Sequence, residues 1–264
     1  MGSKRIHFVQ EFKYLGSIIT PLLNEDAEIE SRIKKAWSLI GIAKHFFECK
    51  DIDIRVKYQV YIAGPLNALL WGCECWNPTK RNLNKLRSFH HCAIRRILKI
   101  SWNQVRCDKI TNKKVRFLFC NIPNVDAFIT RRTARYIGKI SRSSEHSYPK
   151  CFLNAWINQP RKPGAPQLSC NNSFANAITN ILPNGLNNKQ AALKEWLPTA
   201  KDANTWQEHT EIFFESCKTT REYNDEPNEE EDDNDENNEN AENAENDPAH
   251  PGSNPTSQKL VRYT

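Results

Sequence analysis

Long apolar runs are missing from this 264-residue sequence. A membrane-spanning helix needs roughly 18 consecutive apolar residues, and the best stretch, Tyr58 to Trp71, is broken by Gly64, Pro65 and Asn67. No secretory leader is expected either, since Lys4 and Arg5 precede only a short alternating segment. The nine cysteines are therefore expected as reduced thiols inside the cell, in nucleus or cytoplasm alike, and an odd number cannot all pair internally. Glycine is scarce: the nine are scattered singly, so no phosphate-cradling loop is built from them. Neither a G-x-S-x-G elbow nor an internal repeat occurs.

Apolar residues are also sparse, at 39% against about 45–50% in ordinary globular chains. Mean hydropathy is -0.70. The shortfall has an address. Residues 222–247 hold 14 Asp/Glu and no Lys/Arg, whereas residues 1–221 hold 35 Lys/Arg against 17 Asp/Glu, a net +18. The overall +6 thus hides a basic body and an acidic tail. With almost no aromatics to bury, residues 222–264 are expected to be disordered.

Periodicity predicts a mainly α fold. Ile6–Phe8 and Phe12–Ile19 have β character and suit an N-terminal hairpin over residues 1–20. From Ala27 to Phe47, the spacing Ile29, Ile33, Ala36/Trp37, Ile40, Ala43/Lys44, Phe47 marks one buried helix face. A second helix runs from Asp53 to about Leu70, capped by Asp51 or Asp53 and kinked near Gly64-Pro65. Further helices are expected at 82–99, 112–119, 124–141, 172–182, 188–197 and 204–217. The chain divides accordingly into a hairpin (1–20), a helical bundle (21–105), a basic two-helix region (106–157), a Pro-rich linker (158–171), C-terminal helices (172–221) and the acidic tail (222–264).

On a wheel of about 100° per residue, the helix at 82–99 gathers Leu83, Leu86, Phe89, His90, Ala93, Ile94, Ile97 and Leu98 on one face. Lys85, Arg95, Arg96 and Lys99 gather on the other, with Arg87 the exception. The helix at 124–141 puts Arg131, Arg132, Arg135, Lys139 and Arg142 on one arc, into which Phe128 intrudes. Residues 80–142 carry 17 Lys/Arg against Asp108 and Asp126 alone. A solvated helix face ordinarily mixes signs, because Glu–Lys pairs stabilise it. Here the signs do not mix, and a polyanion would relieve the repulsion while releasing condensed counterions. The two helices between Thr111 and Arg142, joined at Cys120-Asn121-Ile122-Pro123, have the order of a helix-turn-helix.

Cys73-Glu74-Cys75 and His90-His91-Cys92 offer zinc-type donors. The wheel, however, sends His90 into the apolar face and Cys92 to the opposite side, and C-x2-C spacing is lacking. A core histidine with small buried cysteines is expected, and no metal site is assigned.

A run of motifs carries a resemblance. Phe12-Lys13-Tyr14-Leu15-Gly16-Ser17-Ile18-Ile19-Thr20 resembles the "F-K-Y-L-G-x-x-I-T" stretch that follows the palm in non-LTR retrotransposon reverse transcriptases. In the same order, Trp71-Gly72-Cys73-Glu74-Cys75-Trp76 resembles "Y-G-C-E-T-W". Phe89-His90-His91-Cys92-Ala93-Ile94-Arg95-Arg96-Ile97-Leu98 resembles "F-H-x-x-C-L-R-R-I-L", followed by Ile100-Ser101-Trp102. Ile110-Thr111-Asn112, Ile122-Pro123, Arg131-Arg132, Arg135-Tyr136 and Ile137-Gly138-Lys139 resemble "I-T-N…I-P…R-R…R-W-L-G-H". The resemblance covers roughly residues 8 to 182. It departs at Ala165, where "R-G-R-P" has arginine, and at Thr133-Ala134, which is less basic than usual.

The resemblance implies the C-terminal part of an RNA-directed DNA polymerase: the end of a palm hairpin, a helical thumb and the segment beyond. Such a polymerase holds Mg²⁺ on palm aspartates that include a Tyr-x-Asp-Asp turn. This sequence has none, its one Asp-Asp pair being Asp232-Asp233 in the tail, so no catalytic residue, cofactor or polymerase activity is expected of it alone. Phe12, Tyr14, Leu15 and Gly16 would lie near the primer terminus. Lys13, Lys85, Arg95, Arg96, Lys99, Arg131, Arg132, Arg135, Lys139 and Arg142 would meet RNA or DNA phosphates, which give affinity without sequence readout. Two other readings stand beside this one. The first is a stand-alone nucleic-acid-binding or interaction protein whose tail 222–247 folds back on the basic surface as an autoinhibitor. The second is a remnant of a decayed element without function.

Overall fold

The computed structural model describes residues 9–21, 25–154, 170–182 and 196–218. The expected strand at Ile6–Phe8, the linker 158–169, most of the helix at 188–197 and the acidic tail lie outside the described residues. The chain segment expected as one strand, Phe12–Ile19, is itself a hairpin. Strands β1 (Phe12–Tyr14) and β2 (Ser17–Ile19) pair antiparallel, Phe12 opposite Ile19 and Tyr14 opposite Ser17. The reason is the two-residue turn, where Leu15 and Gly16 both take positive φ, 47° and 88°. A tight hairpin turn requires that twist, and glycine adopts it at no steric cost.

The rest is helical. The helix expected from Ala27 to Phe47 bends at Ala43 into α1 (Asp26–Ile42) and α2 (Lys44–Glu48). The expected face is buried, with Ile29, Ala36, Ile40 and Phe47 at its centre. Asp53 caps α3 (Ile54–Tyr61) by accepting from the Arg55 backbone N–H at 2.6 Å. The anticipated kink is a π turn, Ile62–Leu66, that accommodates Pro65 before the short α4 (Asn67–Leu69). Thr79 caps α5 (Lys80–Leu98), which stops where Lys99 turns left-handed at φ 59°.

Two further short helices were not foreseen: α6 (Trp102–Cys107) and α9 (Tyr148–Asn154). For α6 the signal was present, because Ser101 and Gln104 form a capping box, each side chain satisfying the other's backbone N–H. Then follow α7 (Asn112–Leu118), α8 (Val125–Ser141), α10 (Cys170–Ile181), helical residues 196–201 (α11) and α12 (Ala203–Ser216).

One core runs from Ile29 on α1 through Leu70, Phe89 and Phe128 to Phe214 on α12. The regions expected as 21–105, 106–157 and 172–221 therefore share apolar side chains. A smaller cluster joins Ile137 of α8 to Ile178, Trp196, Ala200 and Trp206. Helix α8 belongs to both clusters, its first turns packing in one and its last turns in the other. At Gly138 the approach is closest: a Cβ there would meet the Trp206 ring at 2.4 Å. The same indole donates to the Ala134 carbonyl at 2.8 Å.

Candidate nucleic-acid interface

The hairpin is moored to α1 by a buried ion pair. Glu28 and Arg32 are 3% and 5% exposed. Glu28 Oε2 accepts from the Ile18 backbone N–H at 2.6 Å, and its Oε1 accepts from Arg32 Nε at 2.6 Å. Arg32 Nη2 then donates to the Gly16 carbonyl at 2.7 Å. Removing one member of such a pair strands a buried charge and costs about 3–5 kcal/mol. The mooring leaves Phe12, Tyr14 and Leu15 exposed, with the two rings stacked at 6.4 Å between centroids. Lys13 lies on the same hairpin close enough to Lys35 to matter: burial, then the charges of Arg32 and Lys13, hold the Lys35 ammonium below its ordinary pKa, against Glu28.

Most of the cations on the α8 arc are engaged by neighbouring groups, although Arg135, Lys139 and Arg142 remain exposed. Arg131 makes a two-pronged pair with Glu211 of α12, at 3.2 and 2.5 Å, and lies 4.2 Å over the Phe214 ring. Arg135 reaches the same carboxylate at 2.6 Å. Arg132 turns the other way, donating to the Leu70 carbonyl at 2.8 Å and to Asn67 Oδ1 at 2.7 Å. Arg142 donates to the Ala200 carbonyl at 2.7 Å. Lys139 is exposed and has no hydrogen-bond or ion-pair partner among the described residues. Phe128, which intruded on the arc, is buried against Phe214 and His90. So four of the five α8 cations expected to meet phosphates stitch α8 to its neighbours. A recognition helix presents its face to a groove; α8 packs against α10 and α12 and keeps Arg135, Lys139 and Arg142 exposed.

On α5 the expected stripe splits as well. Lys85 pairs with Glu30 at 2.6 Å. Arg95 is only 6% exposed, contrary to the wheel. The unforeseen α6 and the expected α7 explain it, since its guanidinium lies 4.6 Å from the Trp102 ring centroid and donates to Asn112 Oδ1. Arg96 and Lys99 remain exposed, Arg96 over the edge of Trp37 at 5.8 Å and Lys99 bonded to the Glu48 carbonyl at 2.8 Å. Arg87 pairs bidentately with Asp126, both bonds 2.9 Å.

Beyond α5, a second set of cations that the wheels passed over faces outward. Arg106, Lys109 and Lys113 are exposed, beside the exposed Trp102 and Phe117. The signal available in the sequence was density rather than period: six Lys/Arg between residues 99 and 116 against Asp108 alone.

His91 anchors this segment through Arg116, and His90 lies in the core beside it. The Pro123 carbonyl accepts from His90 Nε2 at 3.2 Å, so Nδ1 is the acceptor for the Tyr61 hydroxyl at 2.9 Å. His91 Nε2 accepts from Arg116 Nη1 at 3.0 Å. Burial holds the His90 pKa down to about 3. Burial, together with the neighbouring His90 and the charges of Arg116, Arg95 and Arg87, takes His91 to about 2. His90 is thus the core histidine the wheel indicates. Cys73 is likewise a core thiol, its pKa pushed up to about 12 by burial. For the Mg²⁺ of a polymerase the donors do not fit. Glu28, Asp126 and Glu211 are each bonded to arginines, and no three His/Cys/Asp/Glu converge among the described residues.

Over 200 residues, 75% of this chain and 69% of its counterpart, the sequence is 23% identical to an uncharacterized transposon-derived protein of Caenorhabditis elegans. No family profile matches the chain. No solved structure matches it either. No helix of the described residues is long and apolar enough to cross a membrane.

Proposed function

We propose that this chain is the thumb-like part of a non-LTR retrotransposon reverse transcriptase without its catalytic palm, and that it binds RNA or DNA through phosphate contacts without polymerising. The observation that carries the reading is the outward cationic segment from Arg96 to Lys113, with exposed Trp102 within it and exposed Phe117 just beyond. Cations beside aromatic faces hold a strand by charge and by stacking, both indifferent to sequence. The collinear motifs and the likeness to a transposon-derived protein support the retroelement assignment. The moored hairpin, with Phe12, Tyr14 and Leu15 outward, suits the primer-proximal role that the resemblance implies.

The test is fluorescence anisotropy with labelled RNA, DNA and hybrid duplexes over a salt series, beside a primer-extension assay with nucleotides and Mg²⁺. The reading expects salt-dependent binding of comparable strength across sequences, and no extension. Metal-dependent extension by the pure protein, or binding indifferent to salt, overturns it.

A further inference from the structure

The two edges of the β1–β2 hairpin differ. Along β2, Glu28 accepts from the outward Ile18 N–H and Arg32 donates to the Gly16 carbonyl, so α1 closes that edge. Along β1 the edge is open. Among the described residues the sheet has only these two strands, and Val9 to Tyr14 are exposed throughout. In a hairpin with a two-residue turn, the pair next to the turn exchanges both backbone bonds, and the following pair points its N–H and C=O outward. Here those pairs are Tyr14 with Ser17 and Lys13 with Ile18. Lys13 therefore offers a donor and an acceptor on the open edge, and Glu11, two residues back, lies in step with it. Such groups are a template for another strand, and a sheet of two strands gains stability from a third.

A charge of one sign blunts an exposed edge, because a second copy brings the same sign against it. The stretch Gln10-Glu11-Phe12-Lys13-Tyr14 does the reverse. Laid antiparallel on its own copy with Phe12 opposite Phe12, Glu11 faces Lys13 of the second copy, and Lys13 faces Glu11. Centring the pairing on Glu11 or on Lys13 sets like charges directly opposite, which destabilises it. The Phe12-centred register also sets outward backbone groups against outward ones. Glu11 and Lys13 then form the hydrogen-bonded pairs, and Phe12 forms the closer non-hydrogen-bonded pair between them. Phe12 is 55% exposed and meets its equivalent ring there. A carboxylate arriving beside Lys13 also offsets the repulsion that Lys13 and Arg32 exert on Lys35.

We infer that the free edge of β1 pairs antiparallel, centred on Phe12, with β1 of a second copy, making a two-fold symmetric homodimer. Each copy presents the same patch to the other, as two-fold symmetry requires. A five-residue edge is short beside stable interfaces of roughly 1,200–2,000 Å², so the dimer is weak and forms by mass action. The pairing goes beyond the nucleic-acid reading and does not depend on it.

Sedimentation equilibrium of the full chain tests it, from micromolar to near-millimolar protein and without nucleic acid. Reducing conditions keep the exposed Cys75, Cys107 and Cys151 from crosslinking. Physiological salt, with a Debye length of about 8 Å, screens the net positive charge of the two bodies. The expected result is a mass that rises from 30.6 kDa toward twice that value. Glu11→Lys and Lys13→Glu, each confirmed as folded by circular dichroism, set like charges opposite each other at both ends of the register. Each should weaken self-association roughly tenfold or more. Mixed in equal amounts, the two single variants should associate with each other, because every Lys then faces a Glu. The double variant Glu11→Lys/Lys13→Glu should regain self-association for the same reason. A mass that stays at 30.6 kDa at every concentration overturns the proposal, as does association that the single variants leave unchanged or that mixing fails to restore.

Discussion

Two cationic stretches, α8 and residues 96–116, are put to different use. On α8, Arg131 and Arg135 converge on Glu211, Arg132 closes the carbonyl end at Leu70, and Arg142 holds the Ala200 carbonyl. These guanidiniums behave as fasteners, their planar forks matching carboxylates and carbonyl oxygens. In the second stretch, Arg96 near the end of α5, Lys109 in the turn after α6 and Lys113 on α7 stand exposed. A cationic arc on a wheel therefore marks a face with a common partner. It does not say whether that partner is solvent, a polyanion or the next helix of the same chain.

Acid should part the two stretches most strongly. The outward segment is tied to α5 through His91 and Arg116, beside the core His90, and the fold keeps both histidines neutral, with pKa values of about 3 for His90 and about 2 for His91. Unfolded histidine titrates near pH 6.5, so the unfolded chain binds these two protons first. Their stability contribution is complete above that pH and is lost as pH falls toward the folded values. The loss is about 1.4 kcal/mol per pH unit for each histidine, or roughly 5 kcal/mol for the pair at pH 4.5. Protonation also turns His91 Nε2 into a donor facing Arg116, so α7 should lift first. Urea unfolding followed by tryptophan fluorescence between pH 7 and 4.5 checks this, and His91→Gln should roughly halve the slope.

Next comes the seam at Gly138. Adding a Cβ 2.4 Å from the Trp206 ring should cost about 3 kcal/mol as overpacking, a fall of about 6–12 °C in Tm for a body this size. Gly138→Ala should thus loosen α12 from α8 while leaving the outward cations where they are. Thermal unfolding by circular dichroism reads the fall, and an unchanged Tm would mean that α12 does not sit on α8.

A smaller effect is expected of Glu211→Gln. Its carboxylate is partly exposed, and desolvation, which raises its pKa, is outweighed by the bonds from Arg131 and Arg135, which lower it. Losing the charge should cost about 1 kcal/mol, given solvent screening, and only above the carboxylate's pKa. It should also release two guanidiniums. Tighter strand binding at low salt by anisotropy would show that α8's cations are withheld rather than misplaced.

Much of the fold could be read from local chemistry. The Asp53 cap, the Pro65 kink, the apolar face of α5 and the hairpin region all follow from spacing a few residues wide. What escaped depended on distant partners or on elements too short for a period. Arg95 reads as solvent-facing until α6 and α7 cover it with Trp102 and Asn112. Arg131 reads as a phosphate ligand until Glu211, 80 residues on, arrives beside it.

The most direct measurement compares salt slopes of duplex DNA binding for two triple variants, Arg96→Gln/Lys109→Gln/Lys113→Gln and Arg131→Gln/Arg132→Gln/Arg135→Gln, each first confirmed as folded. With about 0.9 of slope lost per phosphate contact, the outward triple should lower the slope by up to about 2.7, whereas the α8 triple should lower stability and leave the slope nearly unchanged. A slope lost on the α8 triple and kept on the outward one would contradict the division drawn between the two surfaces.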